Sequence, residues 1–369
     1  MIYLDHNATT PLDERVLVAM LPFLQSYYGN PSSLYRHGRL VRSAIDTARE
    51  QVAALVGVSA GQIIFTSGGT EANNLALATL NRTEKLAISA IEHPSVIEPA
   101  IHWQQQGHEL GKLAVDSNGC ITQDAVNTII KYQPQLVSMM LANNETGVIQ
   151  PIADYATQLK AHNILVHTDA VQALGKIPVQ FNALHVDLMT LSSHKIYGAK
   201  GCGALVVGRD VTVKPLIHGG GQEQNLRSGT ENVAAIVAFG KAAELAHSEL
   251  TERSERLLSL RTLLEQQLLS IPKLTIFSQH APRLPNTVLF GIEDVDGEML
   301  VMRLDKKGIA VASGSACASG GSQPSHVLLA MGISPEQAKT AVRVSLGIAN
   351  TEAEINRFVT ELKGLIPYY

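Results

Sequence analysis

Between residues 63 and 207 the chain alternates short apolar runs with helix-like stretches, and this alternation limits the fold more than any other feature. Ile63-Ile64-Phe65-Thr66 reads as a strand and Thr70 to Leu80 as a helix, with Leu86-Ala87-Ile88-Ser89 a second apolar run. Leu136 to Leu141 and Leu165 to Thr168 follow, each preceded by a helical stretch, and then Val186 to Leu191 and Ala204 to Val207. Strands separated by helices predict a mostly parallel sheet covered on both faces. Such sheets take ligands beyond the carboxyl ends of their strands. Downstream, leucines at 257, 258, 260, 263, 264 and 268 keep helical spacing. They predict a long helix over 254–269 that leads into a smaller C-terminal unit. Thr287-Val288-Leu289-Phe290 and Gly308-Ile309-Ala310-Val311 read as strands of that unit, and Glu352 to Ile366 as a closing amphipathic helix.

A chain of 369 residues is too long for one ordinary core, which fits this division. With 45% apolar and 17% charged residues, burial is ample and disorder is not expected. A formal charge of −4 gives no reason to expect nucleic acid or an anionic membrane as the main ligand. No apolar run reaches the length of a membrane span. Met1-Ile2-Tyr3-Leu4-Asp5-His6 lacks the basic start and apolar stretch of a signal peptide. The cysteines are Cys120, Cys202 and Cys317, and no two form a C-x-x-C pair. That argues against a disulfide framework or a zinc site, so a reducing cytoplasm and no metal are expected.

Three motifs fall where the alternating pattern puts strand ends. Thr66-Ser67-Gly68-Gly69-Thr70-Glu71-Ala72-Asn73-Asn74 follows a strand and opens a helix. Glycines let a backbone approach a ligand closely, and a helix N-terminus offers free N–H groups to an anion. A phosphate fits against Gly69 and Thr70; a plain Thr N-cap after a glycine turn is the competing explanation. Asp169-Ala170-Val171-Gln172 puts a carboxylate at a strand end. Buried there, it needs a cationic partner, which a protonated pyridine nitrogen supplies, with Gln172 within reach of the ring's phenolic oxygen; a helix N-cap aspartate is the alternative. Ser192-Ser193-His194-Lys195 follows the next apolar run. A lone lysine is usually a solvated surface residue. Here an amine at one strand end and an acid at another are the two groups that hold pyridoxal phosphate, the lysine through a Schiff base and the acid through the ring nitrogen. Ser192 and His194 can serve as phosphate donors.

Three further residues carry chemistry. Cys317 lies in Ala312-Ser313-Gly314-Ser315-Ala316-Cys317-Ala318-Ser319-Gly320-Gly321, within a linker-like stretch over 313–325. Such small residues bury a thiol poorly, and an exposed thiol on a mobile loop suits a nucleophile that must reach a substrate and then an acceptor. An inert cysteine in a surface linker is the bland alternative, while Cys202 reads as structural and Cys120 as incidental. His93, before Pro94, is placed to stack on a cofactor ring, unless it is a turn histidine bonded to backbone. Arg343 sits within an apolar run; buried, it requires an anion, and a substrate carboxylate matches its forked donors as well as an internal Asp or Glu does.

With these residues in place, the chain resembles the pyridoxal-phosphate-dependent cysteine desulfurases, a class V aminotransferase-like group serving iron–sulfur cluster assembly and nitrogenase maturation. The matching segments run from Tyr3-Leu4-Asp5-His6-Asn7-Ala8-Thr9-Thr10-Pro11 through Gly29-Asn30-Pro31-Ser32-Ser33 and the Thr70 motif. They continue with Asn143-Asn144-Glu145-Thr146-Gly147, the Asp169 and Lys195 motifs, His218-Gly219-Gly220-Gly221-Gln222-Glu223, Arg227-Ser228-Gly229-Thr230, the Cys317 segment and Arg343-Val344-Ser345-Leu346-Gly347. Ala199 stands where the group usually has proline, Ala318 where threonine is common and Tyr35 at a common histidine position; none removes a catalytic group.

The resemblance implies an α/β, fold type I aminotransferase-like architecture. A large cofactor-binding domain would span 13–259, and a smaller α+β domain would comprise 1–12 and 260–369. It implies a homodimer in which Thr230 reaches the phosphate of the neighbouring subunit's cofactor. Asn144 would contact the ring oxygen and, with Arg343 and Asn7, the substrate. Lys195, His93 and Cys317 would be the catalytic residues. The implied reaction takes sulfur from L-cysteine, leaving L-alanine and a persulfide on Cys317 for an acceptor such as an iron–sulfur scaffold. Other possibilities on the same residues are a selenocysteine lyase, an aminotransferase, which has no need of Cys317, or a cofactor-dead sulfur-transfer scaffold subunit.

Overall fold

The computed structural model describes residues 1–80, 84–314 and 323–366. In chain order its elements begin with β1 (Ile2–Tyr3), α1 (Glu14–Gln25), α2 (Arg36–Val56), β2 (Ile63–Thr66), α3 (Gly69–Leu77), β3 (Leu86–Ser89), α4 (Pro94–Gln105) and β4 (Leu110–Leu113). There follow α5 (Gln123–Tyr132), β5 (Leu136–Ser138), α6 (Ile152–Lys160), β6 (Leu165–Asp169), β7 (Leu188–Ser192), β8 (Gly203–Val207), α7 (Val233–Ser248) and α8 (Leu250–Leu268). The remainder is β9 (Leu274–Ile276), β10 (Thr287–Ile292), α9 (Gly297–Lys306), β11 (Ile309–Ala310), β12 (Ala312–Ser313), α10 (His326–Ala330), α11 (Pro335–Lys339), β13 (Val342–Ser345) and α12 (Glu352–Leu365). No helix among the described residues is long and apolar enough to cross a membrane.

Seven strands form one sheet in the order β2-β8-β7-β6-β5-β3-β4. Its pairs are parallel except those made by β8, which runs antiparallel to β2 and β7. Both faces are covered, and side-chain alternation sorts the residues between them. Ile63, Phe65, Met189, Leu191, Ala204 and Val206 enter the core shared with α2 and α7. Their neighbours Ile64, Leu188 and Leu205 enter a second core with residues of α3 and α4. Burial on both faces is why these strands read as continuous apolar runs.

On one of these faces α2 buries Val41, Ile45, Ala48, Val52 and Val56 at helical spacing and ends at Gly57 with φ 71°. Against it lies α7, whose small residues allow close approach: a methyl at Gly240 would stand 2.5 Å from Ala48 Cα.

A second sheet, β12-β13-β10-β9, is antiparallel throughout. Val288, Phe290, Val342 and Val344 pack there with Leu257, Leu260, Leu264 and Leu268 of α8 and Phe358 of α12. The leucine-spaced stretch is therefore a helix; it starts four residues earlier than the spacing predicts and leaves Leu258 exposed. The expected strand over 308–311 is split into β11, which pairs with β1, and β12, which pairs with β13. Ile91 and Met140 meet Leu289, Val327 and Leu328 in a smaller cluster that joins the two sheets.

Candidate functional site

Strand alternation on β13 decides which side chains face the larger sheet. Val342 and Val344 enter the helix-covered core, so Arg343 and Ser345 turn the other way. The carboxyl ends of the parallel strands lie opposite. Asp169 is the last residue of β6 and Ser192 the last of β7, with their strands in register at Asp169 and Thr190. A short turn, Ser193–Lys195, carries Lys195 off β7. His93 caps α4 just beyond β3, and Asn144 lies beyond β5. A cleft of about 310 Å³ is lined by Asn7, Gly69, Thr70, His93, Asn144, Asp169, Gln172, Ser192, His194, Lys195 and Arg343, together with Ala8, Asn73, Ser95, Met140 and Val171.

Asp169 is 5% exposed. It accepts hydrogen bonds from Asn73 Nδ2 at 2.8 Å and from the Val171 N–H at 2.9 Å. Both donors are neutral, and among the described residues no salt bridge reaches this carboxylate. A buried carboxylate in that setting suits a cation arriving from the cleft. Asn73 Nδ2 also donates to Ser95 Oγ at 2.8 Å, and Ser95 N–H donates to His93 Nδ1 at 3.1 Å. With Nδ1 accepting, the neutral ring carries its proton on Nε2. Burial lowers the His93 pKa; Lys195 and His326 act in the same sense and Asp169 opposes them.

Lys195 Nζ donates to the carbonyls of Asn7 and, at 2.7 Å, of Ala8. The N-terminal segment is thus strapped across the amine. Beside it, Ser192 Oγ is buried with no protein partner. Gly69 and Thr70 form the first turn of α3, whose N–H groups are free of intrahelical bonds. The approach is close because β8 also starts on a glycine: a methyl at Gly203 would lie 2.6 Å from the Gly68 carbonyl carbon. His194, which pairs through Nδ1 with Thr9 Oγ1 at 3.1 Å, is held at a pKa of about 4, by burial first and then by Lys195, Lys200 and Lys176. It therefore meets an anion as a neutral donor.

Of the two partners its sequence context allowed for, Arg343 has the internal acid. Nη2 pairs with Asp5 Oδ1 at 2.6 Å and Nη1 donates to the Asn144 carbonyl at 3.0 Å, while Nε has no protein partner. Asn7 is buried among Asn144 O, Thr287 Oγ1 and the Ser345 hydroxyl. Gln172 donates through Nε2 to the Asn7 carbonyl at 2.9 Å. Thr230 is exposed and does not line this cleft. Cys317 lies outside the described residues. Cys202 is buried, which pushes its thiol pKa up, as befits a structural cysteine. Among the described residues no cluster of His, Cys, Asp or Glu has the make-up of a metal site.

Some residues here escaped the sequence reading. Asn73 lies three positions after Thr70 and so on the same helix face, a signal available in the motif itself. Asp5 as the partner of Arg343 and Lys176 beneath Gln172 had no local signal. Glu92 and Glu145 flank the cleft residues His93 and Asn144, and both are fully buried. Burial raises Glu92 to about 8 and Glu145 to about 7, against hydrogen bonds from Ser89 and the Met140 N–H in the first case and from Ser325 in the second.

Chemically, the cleft offers an amine for an aldehyde, an acid for a ring cation, hydroxyl and N–H groups for an anion, and an arginine for a carboxylate. The sequence model described as aminotransferase class-V matches residues 2–358. A curated relative named cysteine desulfurase IscS, from Dictyoglomus turgidum, is 41% identical over 380 residues, covering 100% of this chain and 96% of its own. A solved structure described as a NifS-like protein superposes with a TM-score of 0.93 at 37% identity, over 99% of this chain and 98% of that one. Another, described as SspA in complex with cysteine, gives 0.83 at 30% identity, over 95% of this chain and 100% of its own.

Proposed function

The chain belongs to the class-V aminotransferase family, and on that footing we propose that it is a pyridoxal-phosphate-dependent cysteine desulfurase. One observation carries the reading: a chain alike to desulfurases over its full length places an amine, Lys195, and an unpaired buried acid, Asp169, at adjacent strand ends of one cleft. The residues fit the cofactor. Asp169, served by neutral donors among the described residues, would take the ring nitrogen; Ser192 Oγ, buried and without a partner among the described residues, would take the phosphate together with Gly69, Thr70 and His194. Gln172 and Asn144 would serve the ring oxygen, and Lys195 would hold the aldehyde.

When bound, the cofactor serves as the electron sink that makes the substrate's α-proton removable. Lys195 Nζ takes that proton and returns one to the carbon skeleton. Arg343, through an Nε that has no partner among the described residues, and Asn144 hold the substrate carboxylate, with Asn7 and Arg343 both donating to the Asn144 carbonyl. Asp169 would face the ring nitrogen. His93, neutral and carrying its proton on Nε2, covers the ring and moves protons at the substrate thiol. Cys317 as thiolate attacks the substrate sulfur. An S–S bond forms and the substrate C–S bond breaks; the electron pair and a proton go to the β-carbon, giving L-alanine, and the sulfur stays on Cys317 as a persulfide.

The reading includes a homodimer in which Thr230 serves the partner's phosphate, transfer of the sulfur to an acceptor protein such as an iron–sulfur scaffold, and a cytoplasmic setting. It divides the chain into a cofactor domain, 13–259, and a smaller one from 1–12 and 260–369, a division supported by the two separate sheets and cores.

Purified protein given L-cysteine is expected to release alanine and to gain one sulfur on Cys317 by mass. Lys195→Ala loses the visible absorbance and turnover. Cys317→Ser keeps the absorbance but forms no persulfide; undiminished sulfide release from it would point to direct elimination, and a keto-acid product to an aminotransferase.

A further inference from the structure

Lys176, 6% exposed, lies beneath the cleft on the turn that follows β6. Its Nζ donates to Gln172 Oε1 at 2.8 Å and to Asn7 Oδ1 at 3.3 Å. Both acceptors are neutral, and among the described residues the lysine forms no salt bridge. An ammonium has three donors and a neutral amine has two, so two acceptors match the uncharged form. Burial, with Lys195 and Arg343 nearby, holds its pKa well below the ordinary lysine range. The other titratable groups that face it are His6 and His194, each held at about 4.

The consequence lies one bond further on. An amide has an accepting end and a donating end, and its neighbours decide which way it sits. Lys176 meets Gln172 at the carbonyl end, so Nε2 faces the Asn7 carbonyl at 2.9 Å and retains a second N–H on a residue that lines the cleft. Turning the amide over would set acceptor against acceptor at the Asn7 carbonyl and would take from the Lys176 N–H groups their acceptor Gln172 Oε1. The Asn7 side chain is fixed in the same way. Its Oδ1 accepts from Lys176 and from Asn286 Nδ2 at 3.1 Å, and its Nδ2 donates to Asn144 O and Thr287 Oγ1. The Asn7 main-chain carbonyl in turn accepts from Lys195 Nζ.

We propose that Lys176 is a positioning residue that locks the Gln172 amide, through Asn7 as well, so that the cleft always presents an N–H donor to the cofactor's ring oxygen. The inference rests on the reading that pyridoxal phosphate occupies the cleft with Gln172 at that oxygen.

The test is a pH titration of the visible absorbance of cofactor-loaded protein. Wild type, Lys176→Met, Lys176→Gln, Gln172→Leu and the Met/Leu double variant are compared. A donor favours the ionised ring oxygen, so losing it raises the midpoint, by about one pH unit for Lys176→Met and by less for Lys176→Gln, which keeps a donor. In the Gln172→Leu background Lys176→Met adds nothing, because the lock has nothing left to hold. A wild-type midpoint in Lys176→Met overturns the proposal. So does an equal shift in both backgrounds, which would make Lys176 a charge acting through space. If Lys176→Met does not fold, Lys176→Gln carries the same two comparisons. Wild-type protein that takes up no cofactor contradicts the functional reading itself, a result distinct from either of these.

Discussion

Single residues at this site are set by what surrounds them rather than by their type. Asp169 and Glu92 are both buried acids, yet Asp169 has donors on both oxygens and Glu92 has them on one, leaving Oε2 bare. Burial therefore raises Glu92 from its ordinary 4.5 to about 8. Between those values the unfolded chain has already lost the proton that the folded chain keeps, so rising pH favours unfolding. The stability lost is on the order of 5 kcal/mol, complete above about pH 8. Glu92→Gln keeps the uncharged shape. Its melting temperature is expected to match wild type near pH 5 and to exceed it at pH 8; parallel curves across that range would reject the assignment. Lys195, Asp169 and Gly69 were legible because a strand end followed by a polar or glycine-rich turn marks them in sequence. Asp5 and Lys176 were not, since their roles come from partners that only the tertiary fold brings near.

Elements were legible where burial leaves a period. Strands buried on both faces read as apolar runs, and α8 reads as a leucine ladder. The edge strand β4, with Leu113 its one buried residue, gives no run. The first half of helix α7 gives no stripe because Ala234, Ala235, Ile236, Ala238, Phe239 and Gly240 are all buried; its polar residues, Lys241, Glu244, His247 and Ser248, come only in the second half. That helix shows what its packing requires. Gly240→Ala gains about 1 kcal/mol in helix propensity but sets a methyl against the Ala48 backbone, and such overpacking costs about 1–3 kcal/mol. The expected result is a net loss of up to about 2 kcal/mol, read as a lower urea midpoint with an unchanged m-value. A midpoint at or above wild type would show that α2 and α7 can separate.

At the scale of the whole molecule, the exposure of Thr230 away from its own cleft gives the proposed dimer a direct test. Lys195→Ala and Thr230→Ala subunits are each expected to be impaired alone. Mixed in equal amounts and reassembled, half the dimers are heterodimers with one intact site each, so alanine formation should recover to about a quarter of wild type. No recovery would place both residues in one subunit's site. The N-terminal segment raises a different matter. Ile2 pairs with Ile309, Asp5 with Arg343, and the Asn7 N–H with Ser345 Oγ. Those three partners are made more than three hundred residues after the segment they meet, whereas Asn7 also meets Asn144, Gln172, Lys176 and Lys195. The contacts of Asn7 and Ala8 with Lys195 need only the chain up to β7 and its turn, while the seating of the rest of the segment waits for β13. Only a polypeptide synthesised through β13 can seat the whole of this N-terminal segment, so the strap over the amine ties the first strand of the fold to its last.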